Sequence, residues 1–294
     1  MMRLGEAAGY RRVLLQQDFD RFARLSHDDN PIHCDPAFAA KSHFGATVAH
    51  GMMLYSCISK GLAELIPGPG AVQLEQSLMF PNATYTRETI TIGLTVEGET
   101  DGVLEIATLV TKPGPGGEAV TTATGRCRVV PAGRSAPAVP AISPAEEPGD
   151  AELYGLQPGM TASAQRAFTA ADLDEYGDLT GDRNPIYRED AEARARGYAG
   201  RLVPPPLLAG MFSDLLGTRL PGRGTGWMKQ MLRYPGPAYP GETLTASVTI
   251  TRLRADKELV NLDTRVVAGE DRVVCAGEAL VLVRNLEDKG PKSF

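Results

Sequence analysis

Asp28-Asp29-Asn30-Pro31-Ile32-His33 returns in altered form as Asp182-Arg183-Asn184-Pro185-Ile186-Tyr187, 154 positions later. One copy keeps an aspartate and a histidine, an acid–base pair. The other keeps the aspartate and puts Tyr187 where the histidine stood. The offset also holds outward from the motif. Phe19, Asp20, Phe22 and Leu25 match Leu173, Asp174, Tyr176 and Leu179; Gln76, Phe80 and Pro81 match Gln230, Tyr234 and Pro235; Glu88, Thr89 and Thr91 match Glu242, Thr243 and Thr245. A period this long denotes two copies of a whole domain, not a solenoid of small units. One half has kept chemistry that the other has lost.

The chain has 294 residues, room for about two domains that each bury a core. Hydrophobic content of 43% and charged content of 22% are those of a globular protein. A net charge of −6 and a pI near 5.4, with no Lys/Arg cluster, argue against a nucleic-acid partner. No apolar run approaches the ~18 residues that span a bilayer, and the first residues lack the apolar core of a signal peptide. Cys34, Cys57, Cys127 and Cys275 show no CxxC spacing and read as reduced thiols, so a cytoplasmic location is expected.

The expected organisation is a first domain over 1–131, a Pro/Ala-rich segment over 132–160 and a second domain over 161–294. The middle segment carries Pro137, Pro140, Pro144 and Pro148, offers few core residues, and reads as an extended linker, with a structured cap as the alternative. Asp18–Ser26 has helical spacing. Val48 to Ile66 is apolar round most of its circumference, so a helix there must be buried on nearly every side, and Pro67-Gly68 ends it. Ile90, Ile92, Leu94 and Val96 alternate with small polar residues, as do Leu244, Ala246, Val248 and Ile250. Further strands are expected over 103–111, 119–130, 259–267 and 273–283. One buried helix followed by consecutive strands implies an α+β layer: an antiparallel sheet wrapped around that helix.

Asp-x-Asn-Pro-x-His, then Phe38, then Ala49-His50-Gly51-Met52 opening an apolar helix, resembles the MaoC-type (R)-specific enoyl-CoA hydratases of the hotdog fold. The second half resembles the same domain in eroded form, so the whole chain is similar to the double-hotdog hydratases. The resemblance implies a fatty acyl-CoA enzyme adding water to a trans-2-enoyl thioester, or removing it from a 3-hydroxyacyl thioester. It implies Asp28 as base on the water, His33 as the group that shares that water and handles the C2 proton, and the Gly51 amide as the hold on the thioester carbonyl. It also makes Asn30, His50, Met52 and Ser59 candidate substrate-binding positions, Ser59 as part of the acyl-pocket lining. It implies no metal and no redox cofactor, the CoA thioester being substrate, and two halves paired as an intramolecular pseudo-dimer; a further homodimer stays open.

Simpler readings stand beside these. Asp-x-Asn-Pro is a common turn sequence, and Asn30 reads first as loop-shaping. His50 reads first as a helix N-terminal histidine bonded to backbone, His27 and His43 as surface residues, and Cys57 as core. In the second half, Tyr187 is a poor proton shuttle and Pro205-Pro206, aligned at an offset of 155 with His50-Gly51, offer no N–H. That half is expected to be inactive, its helix lost or shifted to leave room for a longer acyl chain. A hotdog thioesterase, a 3-hydroxyacyl-carrier-protein dehydratase and a non-catalytic acyl-thioester binding module are the alternatives.

Overall fold

The computed structural model describes residues 2–140 and 149–287. The first half holds β1 (Ala7–Val13), α1 (Gln16–Ser26), α2 (Pro31–Cys34), α3 (Pro36–Ala39) and α4 (Gly51–Glu64), followed by β2 (Val72–Met79), β3 (Thr89–Thr100), β4 (Val103–Pro113) and β5 (Ala119–Val130). The second repeats the order: β6 (Thr161–Arg166), α5 (Ala170–Thr180), α6 (Pro185–Arg188), α7 (Asp190–Arg194) and α8 (Pro205–Thr218), then β7 (Gly226–Arg233), β8 (Leu244–Arg254), β9 (Leu259–Ala268) and β10 (Arg272–Leu282).

All ten strands join one sheet in the order β1-β3-β4-β5-β2-β7-β10-β9-β8-β6. Where the halves meet, antiparallel β2 and β7 set Ser77 opposite Met231, its own equivalent in the repeat. In the helical layer Arg21 contacts Glu175, again its own equivalent, at 2.7 Å. These two self-pairings mark a pseudo-two-fold axis, across which α4 packs on α8. The axis turns two sheets into one continuous sheet, and β2 and β7 leave no open edge to mispair.

The α4 helix is buried on nearly every side, with Met52, Tyr55, Cys57 and Ile58 fully covered. Each large apolar side chain sunk there contributes roughly 1.5–3 kcal/mol. The helix is shorter than the apolar run, because Val48 bridges Tyr85 as extended chain and His50 is the N-cap. The alternating stretches of β3 and β8 bury Ile90, Ile92, Leu94 and Val96 in one half and Leu244, Ala246, Val248 and Ile250 in the other.

Four strands escaped the sequence reading: β1, β2, β6 and β7. In β2 and β7 the apolar alternation is broken by inward-facing Gln76 and Gln230. Gln76 Nε2 donates to Ser77 O and Thr108 Oγ1, and Gln230 Nε2 to Met231 O and Thr264 Oγ1, the same pattern at both positions. A buried amide with such partners is tolerated in a core, and its place in a strand is invisible to hydrophobic periodicity.

Two further expectations are corrected. The second half has not lost its helix: α8 has 14 residues, as many as α4. Its N-cap is Pro204 and its first residue Pro205, so the repeat keeps an offset of 154 here and His50-Gly51 correspond to Pro204-Pro205. Prolines suit this position because the first amides of a helix have no intrahelical partner to lose. Nor is the chain between the halves a plain extended linker, since its few apolar residues are packed. Val139 packs with Leu74, Val103 and Val130, and Leu153 and Leu156 join the main core. Residues 141–148, with Pro144 and Pro148, lie outside the described residues. Among the described residues no helix is long and apolar enough to cross a membrane.

Candidate active site

His27, in the left-handed conformation at φ 63°, ends α1 and turns the chain inward, so that Asp28 is buried at 1% exposure. Two residues on, Asn30 caps α2, its Oδ1 accepting from Ile32 N, with Pro31 at the first helical position. This single turn of helix brings His33 back towards Asp28. Asn30 also donates through Nδ2 to Gly217 O of α8, so its part is to shape the loop and tie it to the other half.

The hydrogen bonds fix the histidine tautomers. His33 Nδ1 lies 2.8 Å from Val48 O, which can only accept, so Nδ1 carries the proton and Nε2 a lone pair. That lone pair faces Asp28 Oδ2 at 3.9 Å. His50 Nε2 donates to Asp28 O at 3.0 Å, and its ring stacks on His33 with centroids 3.7 Å apart. Burial lowers the pKa of His33 and takes that of His50 down to about 3, so both rings are neutral at neutral pH. Asp28 Oδ1 accepts from Asn30 N, and Oδ2 accepts from Ser213 Oγ at 2.5 Å.

Asp28, His33 and His50 bring three potential metal donors within 4.8 Å of one another. They do not fit an ion. His50 Nε2 spends its proton on Asp28 O and so has no lone pair to give a metal, which leaves two donors of the three.

Beside the pair opens a pocket of about 310 Å³. Val48, Leu54 and Phe80 supply its wall from the first half, and Leu216, Trp227 and Met228 from the second. Gly51 lines it at the start of α4, where Met53 N is the first amide bonded back to His50 O. A Cβ at Gly51 would stand 2.9 Å from Phe80 Cζ, so glycine is what lets the aromatic ring lie against the helix start.

The structure therefore gathers Asp28, Asn30, His33 and Gly51 about one pocket. It places the other three candidates elsewhere. Met52 is fully buried in the core behind the helix start. His50 is covered too, backing His33 as a backbone-bonded histidine. Ser59 does not line this pocket: its Oγ donates to Asp182 Oδ2 at 2.7 Å, in the other half. The serine at Asp28 is Ser213, Ser59's equivalent 154 positions on. Each helix hands its serine across the pseudo-two-fold to the other half's aspartate. The repeat held that signal, but the crossing is a property of how α4 packs on α8. Trp227 and Leu216 were missed for the same reason.

In the second half Asp182 is enclosed by Ser59 and by Tyr176 OH at 3.4 Å, and burial raises its pKa to about 6. Burial likewise pushes the Tyr187 phenol far above its usual range, so it holds its proton.

Comparison with known proteins places both halves of the chain. Residues 5–113 match the MaoC like domain family, and residues 158–281 match the FAS1-like dehydratase domain region. An (R)-specific enoyl-CoA hydratase of Aeromonas caviae is 35% identical over 43% of this chain and 94% of its own length. A 3-hydroxybutyryl-CoA dehydratase of Methylorubrum extorquens is 32% identical over 46% of this chain and 86% of its own. A Mycobacterium tuberculosis protein described as a double hotdog superposes with a TM-score of 0.72 at 15% identity, over 96% of both chains. The chain belongs to the MaoC-like hydratase/dehydratase family, whose members are hydro-lyases, in its double-hotdog form.

Proposed function

We propose that this protein hydrates a trans-2-enoyl-CoA to a (3R)-3-hydroxyacyl-CoA, or runs the reverse dehydration, with one active half. One observation carries the reading: two acceptors, the Asp28 carboxylate and the His33 Nε2 lone pair, face each other at 3.9 Å beside the Gly51 amide. Two acceptors that far apart are suited to one water that donates a hydrogen to each, leaving its oxygen lone pair free to attack C3. As the C3–O bond forms, one water proton passes to the pair and reaches C2 from His33. The pair thus ends the step as it began. Because His33 presents a lone pair, it must receive the proton before handing it on. Asp28 and His33 thus share the water, and His33 both takes up the proton and delivers it to C2. The enolate charge that develops on the thioester oxygen would meet the Gly51 amide at a helix N-terminus, where negative charge is favoured. Cys57, Cys127 and Cys275 are buried and all four thiols are unpaired, which supports a cytoplasmic setting.

The test is loss of the 2-enoyl absorbance of crotonyl-CoA, with longer and branched enoyl-CoAs in parallel and a thiol reagent present. Hydration without thiol release is expected; stoichiometric release of free CoA would make the protein a thioesterase.

The lone pair on His33 also sets a pH dependence. With its pKa lowered by burial, the neutral form survives below the ordinary histidine value of about 6.5, and activity is lost only as pH falls through the lowered value. The acid limb of kcat/KM against pH is therefore expected below 6.5, and a limb above it would contradict a neutral buried His33.

Asp182→Asn is expected to leave turnover within roughly tenfold of wild type, since Tyr187 and Pro205 supply neither shuttle nor amide. A loss as deep as that of Asp28→Asn in a folded protein would show that the second half acts. Gly51→Val should drive Phe80 into the pocket and lower kcat/KM at least ~10-fold, read with crotonyl-CoA.

A further inference from the structure

We infer that the chain carries a second ligand pocket, built on the inactive half, which holds an acyl thioester by its aliphatic chain without turning it over. This cavity measures about 340 Å³, beside about 310 Å³ for the first. It is the first pocket's equivalent under the repeat. Ile186, Leu202 and Leu208 line it where Ile32, Val48 and Leu54 line the other, each 154 positions on. Tyr198 and Tyr234 stand where Phe44 and Phe80 do. The apolar character of the walls is kept while three replacements remove the chemistry: Tyr187 for His33, Pro204 for His50 and Pro205 for Gly51.

Pro205 and Pro206 leave the helix start without two amides, so no carbonyl can be polarised there. Asp182 does not line the cavity; it is held behind it by Ser59. The polar lining is neutral. Gln73, Tyr187 and Tyr234 are all buried, and Tyr55 ties two of them together, donating to Gln73 Oε1 at 2.7 Å and lying 3.1 Å from Tyr234 Oη. Among the described residues no charged side chain lines the pocket. Apolar walls with a few neutral hydrogen-bonding groups fit an aliphatic chain bearing a thioester carbonyl, and they disfavour a free carboxylate. The choice of a thioester as ligand rests on the hydratase reading of the first pocket; the existence of the second pocket does not.

The probe is octanoyl-N-acetylcysteamine, a saturated thioester with no double bond to hydrate and no nucleotide, measured by equilibrium dialysis on the full chain. Wild type is expected to bind two equivalents. Val72→Trp, which fills the second pocket from β2, should bind one while hydrating crotonyl-CoA within about twofold of wild type. Ala83→Trp, which fills the first pocket, should also bind one and lose hydration. Should Val72→Trp fail to fold, Leu202→Phe takes its place. A single equivalent in wild type that Ala83→Trp abolishes, or two equivalents that survive Val72→Trp, would overturn the proposal. If wild type binds two, Val72→Trp removes one and no preparation hydrates crotonyl-CoA, the second pocket stands and the hydratase reading falls.

Discussion

Asp28→Asn and His33→Ala should each lower crotonyl-CoA hydration by at least ~10²-fold in proteins that remain folded, because each removes one of the two acceptors that grip the water. The asparagine is nearly isosteric, so its oxygen can keep the bond from Asn30 N while its amide N–H donates to Ser213 Oγ, and what goes is the negative charge and the acceptor that faces His33. His33→Ala removes the only ring nitrogen facing Asp28 with a lone pair, and it unstacks His50. His50 cannot substitute, since its Nε2 proton is committed to Asp28 O. The check is steady-state kinetics beside circular dichroism. Near-wild-type rates from either variant would remove the first half from the chemistry.

The second large effect concerns the halves themselves. Residues 1–135 expressed alone should aggregate or form a symmetric dimer with altered acyl selectivity, and should not give an active monomer. The fragment lacks Ser213, Leu216 and Trp227, so one wall of the pocket and the hydroxyl bonded to Asp28 are gone. It also bares the β2 edge that pairs with β7 and the face of α4 that packs on α8. A symmetric dimer would restore the sheet edge, the helix face and the hydroxyl from a second copy, with Ser59 standing where Ser213 does but Gln73 where Trp227 does, because these positions are equivalent in the repeat. Size-exclusion chromatography with light scattering and the hydration assay decide it; a stable, fully active monomer would contradict the shared site.

How much of this was legible follows from which interactions are local. Asp28, Asn30, Pro31 and His33 form a short loop and a turn of helix whose geometry their own side chains dictate, so the motif could be read directly. The apolar length of α4 and the alternation in β3 and β8 spoke through periodicity. Ser213 at Asp28 and Ser59 at Asp182 could not be assigned, because choosing between equivalents needs the pseudo-two-fold axis. That axis is set by Ser77 meeting Met231 and Arg21 meeting Glu175, contacts between distant segments. The helix start of the second half lies one residue before the position that an offset of 155 gives, because Pro204 serves as its cap and Pro205 as its first residue.

The most direct measurement is the configuration of the product formed from crotonyl-CoA and water. An Asp28–His33 pair that delivers a water's oxygen to C3 and its proton to C2 from one face should give a single enantiomer, and the proposed likeness to the (R)-specific hydratases makes it (3R)-3-hydroxybutyryl-CoA, resolved by chiral chromatography after hydrolysis. The (3S) product, a racemate, or unchanged crotonyl-CoA at high enzyme would contradict the account.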